Sequence, residues 1–505
     1  MTTRSTAITM ANRVTGALWG HLVGDATGVP YEFRDPSEIG EVVFGAKGTH
    51  GQPAGTWSDD GALMLALLAS LVADGPRHEP RFDLADQGRR AVDWRQRGHY
   101  TPDGDGAFDI GGTTSEALRA LRNGTDPLDA GPKGEHACGN GSLMRILPLA
   151  VVYRDAAPAA LIEMACQASR VTHGHPRAQV TCAVYCLTVA GVLRGESVRE
   201  ARATAFAECE RHFGAKDRDV DRRTALEELR AYPKRRGSGY VLDAFWSAMD
   251  AVEGASTYQD AIVAAIEYGN DTDTTAAIAG GLAGARFGWS AIPSAWLAGM
   301  RGRDVAQPLI DTVAEAAGVR TSTFSPLRVD EMDLDAVPSL AGGTGRLGIT
   351  YLPGRKQDGY RADYWRDLDL DIATLQAAGV GTLLLHNEDR ELASCLVTEL
   401  PARFAAAGRP RLVRFPIRDP RVPTDVDAYL VVLRDMLARI RAGEFVVVAC
   451  RGGIDRSGMT ASALLVLAGV TPDEAMANVQ AHRKGSITLG EQRELVRSLA
   501  GLASA

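Results

Sequence analysis

Cysteine is scarce in this 505-residue chain. The seven present, at 138, 166, 182, 186, 209, 395 and 450, are scattered, odd in number and without a Cys-x-x-Cys pair. That pattern excludes a disulfide framework and implies a reduced, cytoplasmic setting. A surplus of positive charge is also missing. The net charge is −8, so no broad nucleic-acid or membrane-binding surface is expected, though a local basic pocket is compatible with it. The first nine residues lack a long apolar core, which argues against a signal peptide. No apolar run approaches the roughly 20 residues of a membrane helix. Strand-like alternation is absent before residue 320, so the first half reads as all-α. What remains is ordinary globular composition, 45% hydrophobic and 23% charged, in a chain too long for one core.

The organising stretch is Tyr268-Gly269-Asn270-Asp271-Thr272-Asp273-Thr274-Thr275, followed by an Ala/Gly-rich helix. Carboxylate and hydroxyl oxygens are hard ligands suited to Mg²⁺, Mn²⁺ or Ca²⁺, and the lack of Cys or His among them argues against zinc. Helix capping is the alternative reading, since Asp and Thr satisfy the first amides of a helix. A second cluster, Trp57-Ser58-Asp59-Asp60-Gly61, opens an apolar helix. Ser58 fits an N-cap and the Asp pair fits a first turn, yet adjacent buried carboxylates must be paired, protonated or metal-bound. Both clusters facing one site would resolve the conflict by holding divalent cations between them. Elsewhere in this half, small residues at 16, 17, 20 and 24 make one close-packing helix face. Taken alone, Glu32 is a surface residue after Pro30, and Asp109 a turn residue before two glycines. Gly139-Asn140-Gly141-Ser142 is a Gly-rich loop entering a helix, a form able to receive phosphate. His173 and His175 suit turn or capping roles, and Lys234-Arg235-Arg236 a solvated loop.

Residues 10 to about 320 resemble the ADP-ribosylglycohydrolase family, which includes the dinitrogenase-reductase-activating enzymes. The matching pieces are Gly24-Asp25-Ala26 leading to Glu32, Trp57-Ser58-Asp59-Asp60, Phe108-Asp109-Ile110-Gly111-Gly112-Thr113-Thr114, Asn140-Gly141-Ser142-Leu143-Met144-Arg145, and Gly269-Asn270-Asp271-Thr272-Asp273-Thr274. The resemblance implies an all-α bundle around two divalent cations, Mg²⁺ or Mn²⁺. It would make Ser58, Asp59, Asp60, Asp271, Asp273 and Thr274 ligands and place Glu32 at the metal centre to gate or polarise substrate. Asp109 would stand where a carboxylate handles the water, and Gly139, Asn140, Gly141, Ser142 and Tyr240 would line an ADP-ribose cleft. Ser58 stands for a commoner Thr. Gly61 replaces a usual Thr, which would loosen that helix start.

Residues 321–344 mix Thr, Ser, Pro, Asp and Gly and read as a linker between domains at 1–320 and 345–505. Beyond it, short apolar strands alternate with helices, which implies an α/β domain with a central parallel sheet. The strand Phe445-Val446-Val447-Val448-Ala449 runs into Cys450-Arg451-Gly452-Gly453-Ile454-Asp455-Arg456-Ser457-Gly458 and then an apolar helix. A Cys and an Arg six apart, bracketing glycines at a strand-to-helix turn, form a phosphate cradle. The amides of 451–455 hold the anion, Arg456 grips it bidentately, and the same field favours Cys450 as a thiolate nucleophile. A buried strand-end Cys with a surface Arg is the bland alternative. Alone, Asp419 is a turn residue.

This half resembles dual-specificity, cysteine-dependent phosphatases, especially the kinase-associated type. The resemblance implies Cys450 as nucleophile, Arg456 as clamp, Asp419 as general acid and Ser457 as an aid to thiolate departure, with no metal. Ala449 replaces the usual His before the Cys, removing a loop-ordering hydrogen bond. Asp455 replaces a small residue, adding negative charge beside an anion site. The expected protein is a bifunctional hydrolase whose substrates are an ADP-ribosylated protein or nucleotide and a phosphorylated protein or small molecule. The alternatives are cleavage of a free derivative such as O-acetyl-ADP-ribose, or a second half that only senses phosphate.

Overall fold

The computed structural model describes residues 8–104, 106–215, 219–357 and 363–502. The chain divides into two compact units, Met1–Ala317 and Gly318–Ala505.

Among its described residues the first unit is built of helices, with one isolated bridge between Gly139 and Tyr240. The helices Met10–Gly28 and Thr272–Phe287 form its centre. Small residues recur along the inner faces of both, which lets the backbones touch. A Cβ at Gly20 would overlap the carbonyl of Gly280; one at Gly24, that of Ala276; one at Gly284, that of Gly16. Tyr258 Oη donates to the Gly20 carbonyl at 2.6 Å and Tyr185 Oη to that of Ile278 at 3.0 Å, so side chains from two neighbouring helices fasten each member of the pair. The crossing sets the end of the first helix against the start of the second: Thr272 Oγ1 donates to Gly28 O at 2.8 Å.

Gly24→Ala is expected to destabilise this unit by about 1–3 kcal/mol, because the added methyl must push the paired backbones apart. Gly214→Ala, with nothing within 4 Å of its Cβ position, is expected to be neutral. Calorimetry of the two variants makes the comparison.

The helix Pro176–Leu193 is 18 residues long and apolar enough to cross a membrane, but 89% of it is buried inside the protein, as befits a core helix.

The second unit carries a five-stranded sheet in the order β2-β3-β8-β6-β7, from β2 (Asp330–Glu331), β3 (Arg346–Tyr351), β6 (Thr382–Leu385), β7 (Arg411–Arg414) and β8 (Phe445–Cys450). The pairs β3–β8, β8–β6 and β6–β7 are parallel. Val446 and Val448 of β8 pack on one face with Leu433, Ile440 and Met459. Val447 and Ala449 pack on the other with Ile372 and Leu375. Burial on both faces explains why this strand reads as an unbroken apolar run.

Two expectations need correction. The sheet is mixed, because β2 joins β3 antiparallel at the edge; antiparallel neighbours need no crossover helix. The stretch 321–344 is likewise more than a linker. It contributes β2, and β1 (Val319–Thr321) ends within it, pairing parallel with β5 (Asp363–Trp365) in a second sheet completed by β4 (Lys356–Gln357). Two- and three-residue strands leave too short a pattern to show as alternation.

Candidate functional sites

Seven carboxylates gather where the two glycine-faced helices meet. Asp25, Glu32, Asp59, Asp60 and Asp273 are buried, and Asp109 and Asp271 half-buried. Carboxylate oxygens of Glu32, Asp271 and Asp273 lie within 4.8 Å of one another. Asp59 and Asp60 open the helix Asp59–Leu71, with Ser58 as its N-cap. Ser58 Oγ and Thr274 Oγ1 each donate to Asp60 Oδ2 at 3.2 Å, which joins the two sequence clusters. Thr274 N–H donates to Asp273 Oδ1 at 2.9 Å, and Asn140 Nδ2 to Asp271 Oδ2 at 2.8 Å. Asp60 Oδ1 and Asp273 Oδ2 are buried without any hydrogen-bond partner.

The electrostatics are those of an uncompensated cluster. Burial, then the charges of Asp109 and Asp271, push the Glu32 carboxyl up to about 9. Burial raises Asp25 to about 7. Asp59, Asp60 and Asp273 lie well above the usual carboxylate range, through burial first and their acidic neighbours second. Buried like charges with orphaned oxygens fit divalent cations, and the donor set is all oxygen.

Two residues to which sequence reasoning gave no role build the site. Asp25 Oδ1 accepts from Ser58 N–H at 2.9 Å and Oδ2 from Gly61 N–H at 2.7 Å, so it fastens the Asp59–Leu71 helix to the first helix. His50 Nε2 lies 2.5 Å from Glu32 Oε2 and 3.6 Å from Asp109 Oδ1, and its ring touches those of Phe33 and Phe108. Asp25 falls within the Gly24-Asp25-Ala26 motif. His50 sits in a polar loop with no local signal.

Gly61 does not loosen the helix start. Its amide is held by Asp25, and a Cβ there would run into the Trp57 ring and Leu22. Phe33, Asp109 and Asn270 all have left-handed backbones, with φ of 64°, 61° and 60°. Such strain is found where surroundings over-determine a site. Phe33 N–H donates to Asn270 O and Asn270 N–H to Arg34 O, at 2.7 and 2.9 Å, closing that rim.

Of the expected cleft residues, Gly139 and Tyr240 are bridged, and Asn140 N–H donates to Gly239 O at 3.0 Å, so the two loops are one structure. Ser142 departs from its expected place. It is fully buried and its hydroxyl pairs with Ser169 Oγ at 2.9 Å, because the next residues already belong to the core.

In the second unit Cys450 ends β8, and the helix Asp455–Leu467 begins five residues later. Arg355 donates to the carbonyl of Arg451 at 2.8 Å, and Arg483 to those of Gly452 and Gly453 at 3.0 and 2.8 Å. With its carbonyls engaged, the loop keeps its amides available. Gly453 has a φ of +62°, and a Cβ there would overlap the Thr350 carbonyl. Ile454 caps the helix by backbone alone.

Arg456 is buried and forks onto Glu391, both distances 2.7 Å, with the Ile417 carbonyl at 2.8 Å and Asp419 Oδ1 3.3 Å from Nε. Burial works against the charged form of Glu391, but the Arg456 fork outweighs it and holds that carboxyl below its usual range. Ser457 Oγ is buried without a partner.

Arg355 and Arg483 brace the loop that lacks a preceding His. The Asp455 carboxylate is taken up by Thr488 N–H and Oγ1, each at 2.8 Å. Glu391 escaped sequence reading because it looks like a capping residue, which it also is: it accepts from Glu388 N–H at 3.0 Å.

The ADP-ribosylglycohydrolase family model matches residues 6–323. The chain belongs to the ADP-ribosylglycohydrolase family. It is 32% identical over 292 residues to the ADP-ribosylarginine hydrolase Tri1 of Pseudomonas putida (strain GB-1), covering 57% of this chain and 73% of that protein. A solved structure titled as an ADP-ribosylglycohydrolase-related protein complex is 29% identical, with a TM-score of 0.49, over 61% of this chain and 99% of that one. A kinase associated phosphatase structure is 20% identical, with a TM-score of 0.32, over 36% of this chain and 98% of its own.

Proposed function

We propose that the first unit is a metal-dependent hydrolase that removes ADP-ribose from an acceptor, arginine-linked in the first instance. The observation that carries the reading is the buried carboxylate cluster with its two orphaned oxygens on Asp60 and Asp273. The name of the Pseudomonas relative supports the arginine linkage. Ser58, Asp59, Asp60, Asp271, Asp273 and Thr274 would hold the cations. When bound, the cations would supply Lewis-acid polarisation of the ribose hydroxyls and of an attacking water. The chain's own groups do the rest. Asp25 fixes the ligand-bearing helix. Glu32 and Asp109, bridged by His50, are the carboxylates placed to hold or move a proton at an attacking water. Asn140, tied to Asp271, couples the cleft loop to the cluster.

For the second unit we propose phosphate-monoester hydrolysis. Cys450 Sγ attacks phosphorus and the P–O bond to the leaving group breaks. Asp419 protonates the departing oxygen. Arg456 and the loop amides hold the three remaining oxygens. Water then cleaves the S–P bond, and the Ser457 hydroxyl stabilises the departing thiolate.

Release of ADP-ribose from arginine-linked, serine-linked and nucleic-acid-linked substrates, with Mg²⁺ or Mn²⁺ and with EDTA, tests the first reading. Metal-dependent release from the arginine-linked substrate is expected. Release from another acceptor alone would replace the arginine assignment, and release from none of them by metal-loaded protein would refute the reading.

A further inference from the structure

The cleft at the Cys450 loop is larger and more cationic than a single phosphate requires. Its volume is about 1150 Å³. Several of the cations on its wall are already matched. Arg456 has Glu391, and Arg328 and Arg483 both pair with Asp330 at 2.5 Å. Four are not: among the described residues no carboxylate pairs with Arg320, Arg355, Arg451 or Lys484.

Arg355 is the telling one, because it is only 5% exposed. Among the described residues its guanidinium makes one hydrogen bond, to the Arg451 carbonyl; it lies 4.1 Å from the centre of the Tyr364 ring, and its Nε is buried without a partner. A buried guanidinium without a counter-ion is costly. The cost is relieved if the anion is the ligand. Its neighbours suit that role. Arg451 follows the nucleophile, and Arg320 sits opposite Tyr364 in the β1–β5 register. Burial acts against the charge of Arg355, as expected of a site that is incomplete without an anion.

We infer that Arg355, with Arg451 and Arg320, forms a second anion subsite beside the Cys450 cradle, and that this unit acts on a small phosphomonoester bearing a further phosphate group. The inference rests on Cys450 being a phosphatase nucleophile. Because Arg355 is fastened to the residue next to Cys450, the two anions occupy one cleft at close range. The deep burial of Arg355 suits a compact molecule that enters whole. Tyr351 pairs with Cys450 across β3 and β8, and its ring lies 5.4 Å from that of Tyr364 at a tilt of 53°, so both add aromatic surface to the cleft wall.

The test compares phosphate release by the full chain from adenosine 5′-monophosphate and adenosine 3′,5′-bisphosphate. It adds a doubly phosphorylated peptide and phosphatidylcholine vesicles carrying phosphatidylinositol bisphosphate. The bisphosphate is expected to exceed the monophosphate by about tenfold or more in kcat/KM, chiefly through KM, as a charge-assisted bidentate contact allows. Arg355→Gln should bring that ratio near one. Arg320→Gln, at the surface, should lower it by about two- to threefold and serves if Arg355→Gln does not fold. Preference for the vesicles over the soluble bisphosphate would assign the second phosphate to a lipid headgroup. Equal ratios in wild type, a ratio unmoved by the variants, or preference for the peptide would overturn the inference.

If no substrate is turned over, the phosphatase reading fails, and the subsite is judged by calorimetry on the Cys450→Ser chain. Tighter binding of the bisphosphate than of the monophosphate, lost on adding Arg355→Gln, sustains it; equal binding overturns it.

Discussion

Asp273→Asn is expected to lower ADP-ribose release by at least about 10²–10³-fold, the range seen when one preorganised electrostatic group is removed from an active site. The side chain keeps its size, and its Oδ1 contact with Thr274 N–H can be retained. What changes is Oδ2, which is buried and has no partner in the protein. In the variant an amide donor or a neutral oxygen takes its place, and one anionic ligand is lost. A purely structural role for Asp273 gives the opposite signature. Removing a charge from a cluster of buried carboxylates relieves repulsion, so metal-free Asp273→Asn should be as stable as wild type or more so. Steady-state release with saturating Mn²⁺, beside thermal unfolding in EDTA, separates the two. An active variant, or one that fails only because it unfolds, would remove Asp273 from the site.

Cys450→Ser is expected to cut phosphate release by about 10⁴-fold or more, the scale of losing a nucleophile that works in concert with its neighbours. The serine hydroxyl fits the same space at the end of β8, but it is not ionised at neutral pH and is a far weaker nucleophile than a thiolate. The cradle should survive. Its carbonyls remain held by Arg355 and Arg483, and Arg456 remains on Glu391. The variant should therefore still bind phosphate, which calorimetry or phosphate-induced stabilisation would show. Residual turnover near wild type would mean that the hydrolysis belongs to another group. A wild-type chain that binds phosphate but hydrolyses no phosphate monoester would make this unit a phosphate sensor.

Much of both sites is legible in the sequence because their chemistry is concentrated in short stretches. Ser58-Asp59-Asp60 and Asp271-Thr272-Asp273-Thr274 each put several oxygens on one helix start, and Cys450 to Arg456 compresses nucleophile, loop and clamp into seven residues. The glycine spacing of the first helix likewise announces close packing, though not its partner. The groups that sequence reading misses act across the fold. Asp25 reaches the Asp59–Leu71 helix, His50 meets Glu32 and Asp109 from a polar loop, and Glu391 comes to Arg456 from beyond another strand. No local pattern marks such residues, since their identity as partners is made by the topology. Ser142 shows the reverse error. It belongs to a Gly-rich motif, yet the chain is already buried there, from Asn140 onward. The edge strand β2 was hidden by its length.

The central claim is that the carboxylate cluster is a cation site. Its most direct test is the unfolding temperature of the Met1–Ala317 unit, read in the full chain with EDTA and with Mn²⁺ across pH 5–9. Carboxyls raised in the folded state, Asp25 to about 7 and Glu32 to about 9, contribute stability that is complete below their unfolded values near 4 and is lost as pH rises through the folded ones. Metal-free protein should therefore weaken steadily from pH 5 to 9, at about 2–4 °C for each kcal/mol lost. Mn²⁺ should raise the transition and flatten that slope, because ionised carboxylates then face a cation, and Asp273→Asn should blunt the gain. A transition that Mn²⁺ does not move at any pH would contradict the account.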